Sequence, residues 1–398
     1  MPEPPGALRS VLLCPGLPTM VRGGNDLRNR ALVAALAHLG PTGAIGLRHD
    51  VDPTVPRGLG ATWWRSLSVP ALSAEAMNAP GTAWLAESDG HPSDAWWSPE
   101  ADAALSDLLD EIRPDVVVLS EALMQRYAET ARRHGARVVL DLPSLHSMTA
   151  EIASAELDPR TRLLRRLLAE RSCRLEEAAL TGTDEVWVCS PVDQAALVER
   201  GVGAPVHLVP NVVEVPVMVA PLPDVPLLVF PGSFSFPPNH HAALRLITSI
   251  LPGVRAEVPG VRLALIGGGA TADLATAATS DGVELVGPVP DTRPWFDAAA
   301  VVPVPLTEGG GTRMKILEAL AHGRPVVTTP KGYEGLDLRP GIELLEGSTD
   351  AELVTGIVAV LRSRERAASL GSAGREAVRA RYSLPVLADL VRTLFAHR

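Results

Sequence analysis

Residues 303–323, PVPLTEGGGTRMKILEALAHG, place a glycine cluster, two cations and a carboxylate within one short stretch. An apolar strand is expected to end near Val304, the cluster Gly309–Gly311 follows, and a helix opens with Thr312 as its cap. Gly323 would close that helix as a C′ residue, with Pro325 just beyond. A turn of this kind aims free backbone N–H groups at whatever lies above it, and the helix dipole adds positive potential, so phosphates are favoured there. Arg313 and Lys315 fall in the first helical turn, where the dipole opposes a cation by ~0.3–1 kcal/mol. A choice made for stability alone would be Asp or Glu, so the two cations point to an anionic ligand. Glu318 follows three residues after Lys315 on a neighbouring part of the helix face, where a carboxylate can accept from the two vicinal hydroxyls of a ribose. The alternative is ordinary surface architecture with an i,i+3 Lys–Glu pair.

The elements that must carry these residues follow from the alternation of short apolar runs with helical patterns, the signature of parallel sheets covered by helices. Strands are predicted at Leu8–Leu13, Thr42–Leu47, Val116–Leu119, Val138–Leu140, Val186–Cys189 and Val206–Val209. A second set is predicted at Leu227–Phe230, Leu263–Ile266, Val283–Leu285, Ala300–Val304, Val326–Thr328 and Glu343–Leu345. Helices are expected between them, including 121–134, 240–257 and 313–322. Residues 211–226, NVVEVPVMVAPLPDVP, hold four prolines without helical period and read as a semi-rigid linker. The division is therefore residues 1–210 and 227–380, with 381–398 a terminal helix packing back on the first domain.

Composition narrows the class. The 398 residues are 46% hydrophobic and 21% charged, which is globular, and a net charge of −10 argues against nucleic-acid wrapping. Three widely spaced cysteines form neither a metal pair nor a secreted framework, which suits a reducing cytoplasm. No stretch reaches the ~18 apolar residues of a membrane span. Of 36 basic residues only Lys315 and Lys331 are lysines, so each is singled out.

The segment GGGTRMKILEALAHGRPVVTTPKGYEGL resembles the donor-nucleotide motif of glycosyltransferase family 4 (group 1), retaining enzymes of the GT-B fold with two facing Rossmann-like domains and a cleft between them. The likeness extends to FPGSFSFPPNHHAALRL, VRLALIGGG and VELVGPVPD, and more loosely to RGGNDLRNRALVAALAHLG, VVLDLPSLHS, DEVWVCSPVD and VHLVPNVVEV. The resemblance implies an α/β enzyme that moves a sugar from a nucleoside diphosphate sugar; because the sequence shows no paired His, Asp or Cys at metal-ligand spacing, the transfer is expected to proceed without metal, and no cofactor is expected beyond the donor. It also implies an acceptor-binding first domain and a nucleotide-sugar-binding second domain. Glu318 would hold the ribose, Arg313 and Lys315 the diphosphate, and the amides around Gly310, Gly311 and Thr312 the donor sugar or its phosphates. Gly232, Ser233 and Asn239 would meet the diphosphate, backbone near Val289 the base, and Gly23 and Gly24 a loop closing over donor and acceptor. Many members carry two glutamates eight residues apart; here the first position is Gly310, with Glu308 offset by two.

For the acceptor side, Asp141 and His146 after the strand VVL, together with Glu121, lie where ligands bind in open α/β sheets; capping or loop roles are the alternative. A small-molecule acceptor is the leading expectation. The alternatives are a polysaccharide or lipid-linked glycan acceptor, or a non-catalytic nucleotide-sugar binder. His240–His241 is read as capping rather than metal binding, and no metal site is expected. Arg162, Arg165, Arg166, Arg171 and Arg174 read as a solvated helix face interleaved with Glu170, Glu176 and Glu177 ahead of peripheral membrane contact. The Trp-rich segment 60–97 reads as an inserted flap ahead of an aromatic acceptor pocket.

Overall fold

The computed structural model describes residues 7–17, 24–48, 61–69, 96–145 and 159–396. The chain divides into two compact units, Met1–Pro210 with Leu387–Arg398, and Asn211–Val386.

The first unit is built on seven strands: β1 Ser10–Cys14, β2 Thr42–Arg48, β3 Trp63–Ser68, β4 Val116–Ser120, β5 Arg137–Leu142, β6 Glu185–Val188 and β7 Val206–Leu208. All pairs are parallel, in the order β3-β2-β1-β4-β5-β6-β7. Val11, Leu12, Leu13, Val117, Val118 and Leu119 are fully buried, as expected for near-continuous apolar runs covered on both faces. β3 departs from the expected flap: the first Trp-Trp pair lies in a strand paired to β2. Trp63 lies over Gly43, where a Cβ would stand 1.8 Å from its ring. Trp96 and Trp97 pack on the same core, Tyr127 Oη donates to Trp96 O at 2.8 Å, and Arg126 lies 3.7 Å over the Trp97 ring. Trp84 is outside the described residues.

The predicted helix 121–134 is instead a tight turn Ala122–Tyr127 followed by the short helix Ala128–Arg133. The break starts at Glu121, whose φ of 71° places a non-glycine residue in left-handed space. In helix Pro159–Thr181, Arg166 pairs with Glu170 at 3.4 Å. Glu176 is no part of a solvated face; it is fully buried, 3.4 Å from Arg200. The last helix, Leu384–Phe395, buries Leu387, Val391 and Phe395, and Phe395 lies 5.9 Å from Trp187.

The second unit contains β8 Leu227–Pro231, β9 Arg262–Ile266, β10 Val283–Gly287, β11 Val302–Val304, β12 Val326–Thr328 and β13 Leu345–Glu346. Two parallel ladders, β10-β9-β8 and β11-β12-β13, meet through a Leu228–Val301 bridge and an Ala300 N–H to Leu227 O bond of 2.9 Å. The order is that of a doubly wound sheet. The last strand sits later than predicted because Glu343, 1% exposed, is held by Arg339 and Arg381 instead of entering the ladder. The helix predicted over 240–257 begins at Pro237 and passes through a wide turn, Leu246–Ile250, into Leu251–Glu257. Pro252 explains the widening, since it has no N–H and its ring opposes the carbonyl four residues earlier.

The presumed linker is bonded to its own unit. Val213 N–H reaches Tyr382 O at 2.9 Å, Arg324 donates to Ala220 O at 2.6 Å and Pro221 O at 3.2 Å, and Arg375 donates to Pro216 O. Among the described residues, no helix is long and apolar enough to cross a membrane.

Candidate functional site

Helix Met314–Ala321 projects Lys315 and Glu318 from its first turns, while Met314, Ile316, Leu317, Ala319 and Leu320 are buried. The amphipathic spacing of MKILEALA explains which face is buried and which is offered. Its N-cap is Arg313, with no side-chain cap bond, so Thr312 is not the cap that the sequence suggested. His322 ends the helix, and Gly323 follows at φ 65° in the expected left-handed position.

Lys315 crosses to β8 and to helix Pro237–Arg245 that follows it. Its Nζ donates to Asn239 Oδ1 at 2.7 Å and lies 4.1 Å over the Phe230 ring. Asn239 is itself oriented by donating to Ser233 O at 3.0 Å. Gly232 leaves room beside them: a Cβ there would come within 3.1 Å of Lys315 Nζ and 2.9 Å of Asn239 Nδ2, so any side chain would shift these two groups. Behind it, Gly267 packs so closely that a Cβ would meet Gly232 O at 1.9 Å. The Thr292 side chain lies by Glu318 and favours its charged form. Burial, reinforced by nearby Arg313, pushes the Lys315 ammonium down to about 7. Burial likewise lifts the Glu318 carboxyl to about 7, against the pull of Lys315. Both groups are thus poised to change charge near neutrality.

Arg313 behaves differently from the expectation that it faces a diphosphate. It is 8% exposed, and its guanidinium turns back on the glycine loop, donating to Gly309 O at 2.7 Å, Gly311 O at 2.6 Å and Gly310 O. The carbonyls of all three glycines are consumed, while the N–H groups of Gly310 and Gly311 have no hydrogen-bond partner among the described residues. Gly309 and Gly311 have φ of 101° and 72°, which accounts for the glycines.

Val289 is half-buried in the loop after β10. Lys331 pairs with Glu334 at 2.5 Å. His240 and His241 lie inside helix Pro237–Arg245 rather than capping it; His240 pairs with Asp273 at 3.0 Å and His241 with Glu308 at 2.6 Å. Among the described residues no cluster of His, Cys, Asp and Glu could hold a metal ion.

In the first unit the acceptor-side candidates separate. Asp141 is not a loop residue: it lies in β5, fully buried, and both carboxylate oxygens accept from Arg28, at 2.5–3.0 Å. Arg28 also donates to Val209 O at 2.9 Å. Glu121 remains at the end of β4, half-buried, and accepts from Asn25 Nδ2 at 2.9 Å. Gly24 is the exposed first residue of helix Gly24–Ala37, whereas Gly23 and His146 lie outside the described residues. Phe230, Thr292, Arg28 and Asn25 were not singled out in the sequence. Phe230 looks like any strand residue until its ring is seen under Lys315.

Residues 225–363 match the model of the family Glycosyl transferases group 1, so the chain carries a domain of that type. No curated protein matches the sequence. Sucrose-phosphate synthase from Thermosynechococcus elongatus has a similar structure, with a TM-score of 0.72 at 20% identity over 98% of this chain and 100% of that one. HepE of Anabaena, in complex with UDP and glucose, gives 0.68 at 13% identity over 97% and 99%. TarM of S. aureus, in complex with Fondaparinux, alpha-GlcNAc-glycerol and UDP, gives 0.69 at 11% identity over 98% and 99%. These matches over nearly the whole chain, with its two α/β units of parallel sheets, show the GT-B fold.

Proposed function

We propose that the chain is a metal-independent, retaining glycosyltransferase that moves a sugar from a nucleoside diphosphate sugar to a small-molecule acceptor, with no cofactor beyond the donor. The observation that carries this reading is the ammonium of Lys315, held by an amide and an aromatic ring rather than a carboxylate, on the helix that follows a glycine loop whose Gly310 and Gly311 amides have no hydrogen-bond partner among the described residues. Breaking the bond between sugar and diphosphate leaves negative charge on the departing phosphate. A desolvated ammonium and fixed N–H dipoles stabilise that charge without reorganising. Glu318 supplies the acceptor for ribose hydroxyls. Retention of configuration rests on the family resemblance. Glu121 is the remaining described candidate on the acceptor side. The TarM structure is in complex with alpha-GlcNAc-glycerol, which makes a glycan-type acceptor the second reading.

UDP is the first nucleotide to try, because HepE and TarM are in complex with it. Thermal shift against UDP, GDP, dTDP and ADP is expected to show stabilisation by one of them, as linkage requires; no response to any sinks the donor-site reading. Hydrolysis of the matching nucleotide sugar is expected to persist in EDTA and to fall in Glu318→Ala. Equal rates in native protein and variant would remove Glu318 from the site.

A further inference from the structure

The segment running from β11 into the glycine loop is tied along one face of a single helix. On Pro237–Arg245, residues Pro238, His241 and Arg245 are spaced i, i+3 and i+7 and share a stripe. Arg245 Nη1 donates to Pro305 O at 3.0 Å, His241 Nδ1 lies 2.6 Å from Glu308 Oε1, and a Cβ on Gly309 would stand 3.2 Å from the Pro238 ring. The stripe thus follows the chain through 305, 308 and 309 to the point where Arg313 takes over the loop carbonyls. The opposite side of the same helix carries Asn239, which holds Lys315. One helix therefore sets both the ammonium and the loop amides.

Stability does not account for the His241–Glu308 link. The two side chains are 54% and 26% exposed, and pairs at that exposure contribute ~0–1 kcal/mol. Geometry does account for it: Glu308 is the last side chain before three glycines, which have no side chains of their own to anchor them.

We propose that Glu308 and His241 are positioning residues that hold the Gly309–Gly311 loop where its amides meet the distal phosphate and sugar of the donor. This rests on the donor-site reading above. Lys315, Asn239 and Glu318 have their own anchors, so the pair acts on turnover more than on nucleotide affinity.

The test uses whichever of UDP, GDP, dTDP and ADP stabilises the native protein, together with its glucose conjugate. Titration calorimetry and initial hydrolysis rates are compared for native protein, Glu308→Ala, His241→Ala, the double variant and Glu308→Gln. Nucleotide Kd is expected to stay within about threefold, while kcat falls at least about tenfold in either single variant, as loss of fixed geometry implies. The double variant is expected to be no worse than either single one. Glu308→Gln, whose amide oxygen still accepts from the imidazole, is expected to recover most of kcat, and it serves as the readout if an alanine variant unfolds. Additive losses, unchanged kcat, or a Kd that weakens in step with kcat would overturn the positioning role alone. Native protein that binds none of the four nucleotides would overturn this role and the donor site together.

Discussion

Arg28 with Asp141 in the first unit, and Lys315 with Glu318 in the second, are both pairs of opposite charges near the carboxyl ends of parallel strands, yet they are wired in opposite ways. Arg28 grips both oxygens of Asp141, and the two are 2% and 0% exposed. The pair is closed: each charge is the other's solvent, and no ligand has access. Lys315 and Glu318 make no direct ion pair; Lys315 is held by a neutral neighbour, Asn239, and Glu318 has beside it only the Thr292 side chain, which favours its charged form less than burial opposes it. Half-buried charges kept without counter-charges are costly, and the cost appears as the convergence of both groups toward about 7. A closed pair belongs to the fold, whereas an open one awaits a partner.

The comparison breaks or holds on stability first. Asp141→Ala leaves Arg28 buried without its counter-charge, and is expected to cost ~3–5 kcal/mol in urea unfolding; a loss below about 1 kcal/mol would mean that the pair is not closed.

Next comes Lys315→Met, which keeps an apolar stem over Phe230 and is expected to leave the melting temperature unchanged or higher. Nucleoside diphosphate affinity should weaken ~10–100-fold, the equivalent of ~1.5–3 kcal/mol for a charged hydrogen bond. The same lysine gives the affinity a pH dependence. With the free-protein group down at about 7, unbound Lys315 is largely neutral above that pH, and an arriving diphosphate draws a proton onto it. Binding should therefore take up protons between about pH 7 and the ordinary lysine range and weaken as pH rises, as calorimetry at pH 8 in buffers of different ionisation enthalpy would show. In unfolding, the sign follows from the same shift. The lowered lysine value costs stability as pH falls from the ordinary lysine range toward about 7, and the raised Glu318 value costs stability as pH rises from the ordinary carboxyl range toward about 7.

The smallest effect is expected at the other lysine. Lys331 sits in an i,i+3 pair with Glu334 near the surface, so Lys331→Ala should change stability by no more than roughly 0.5 kcal/mol and leave nucleotide binding as it was. A loss of binding there would undo the distinction between the two lysines.

Much of this was legible in the chain. Apolar runs bounded by turn residues mark the strands, because parallel strands buried on both faces need continuous hydrophobicity, and β12 falls where it was expected, at Val326–Thr328. The order of strand, glycines, cations and carboxylate marks the donor motif, because free amides and a helix start favour phosphate wherever the chain folds them. β3 escaped because its WWRSLS carries no apolar run, and a strand paired to β2 shows itself only through that neighbour. Which charges would be spent on the fold was decided by tertiary contacts alone. Asp141 and Glu318 are both carboxylates in α/β segments. One is answered by an arginine 113 residues away in sequence, the other lies by a threonine of a different loop without an ion pair, and no local pattern encodes partners at such separations. Arg313 and Lys315, two residues apart, look alike in sequence. The helix start sends one guanidinium back onto three glycine carbonyls and the other residue's ammonium across to Asn239, because Arg313 is the N-cap, with a non-helical backbone, whereas Lys315 lies inside the first turn.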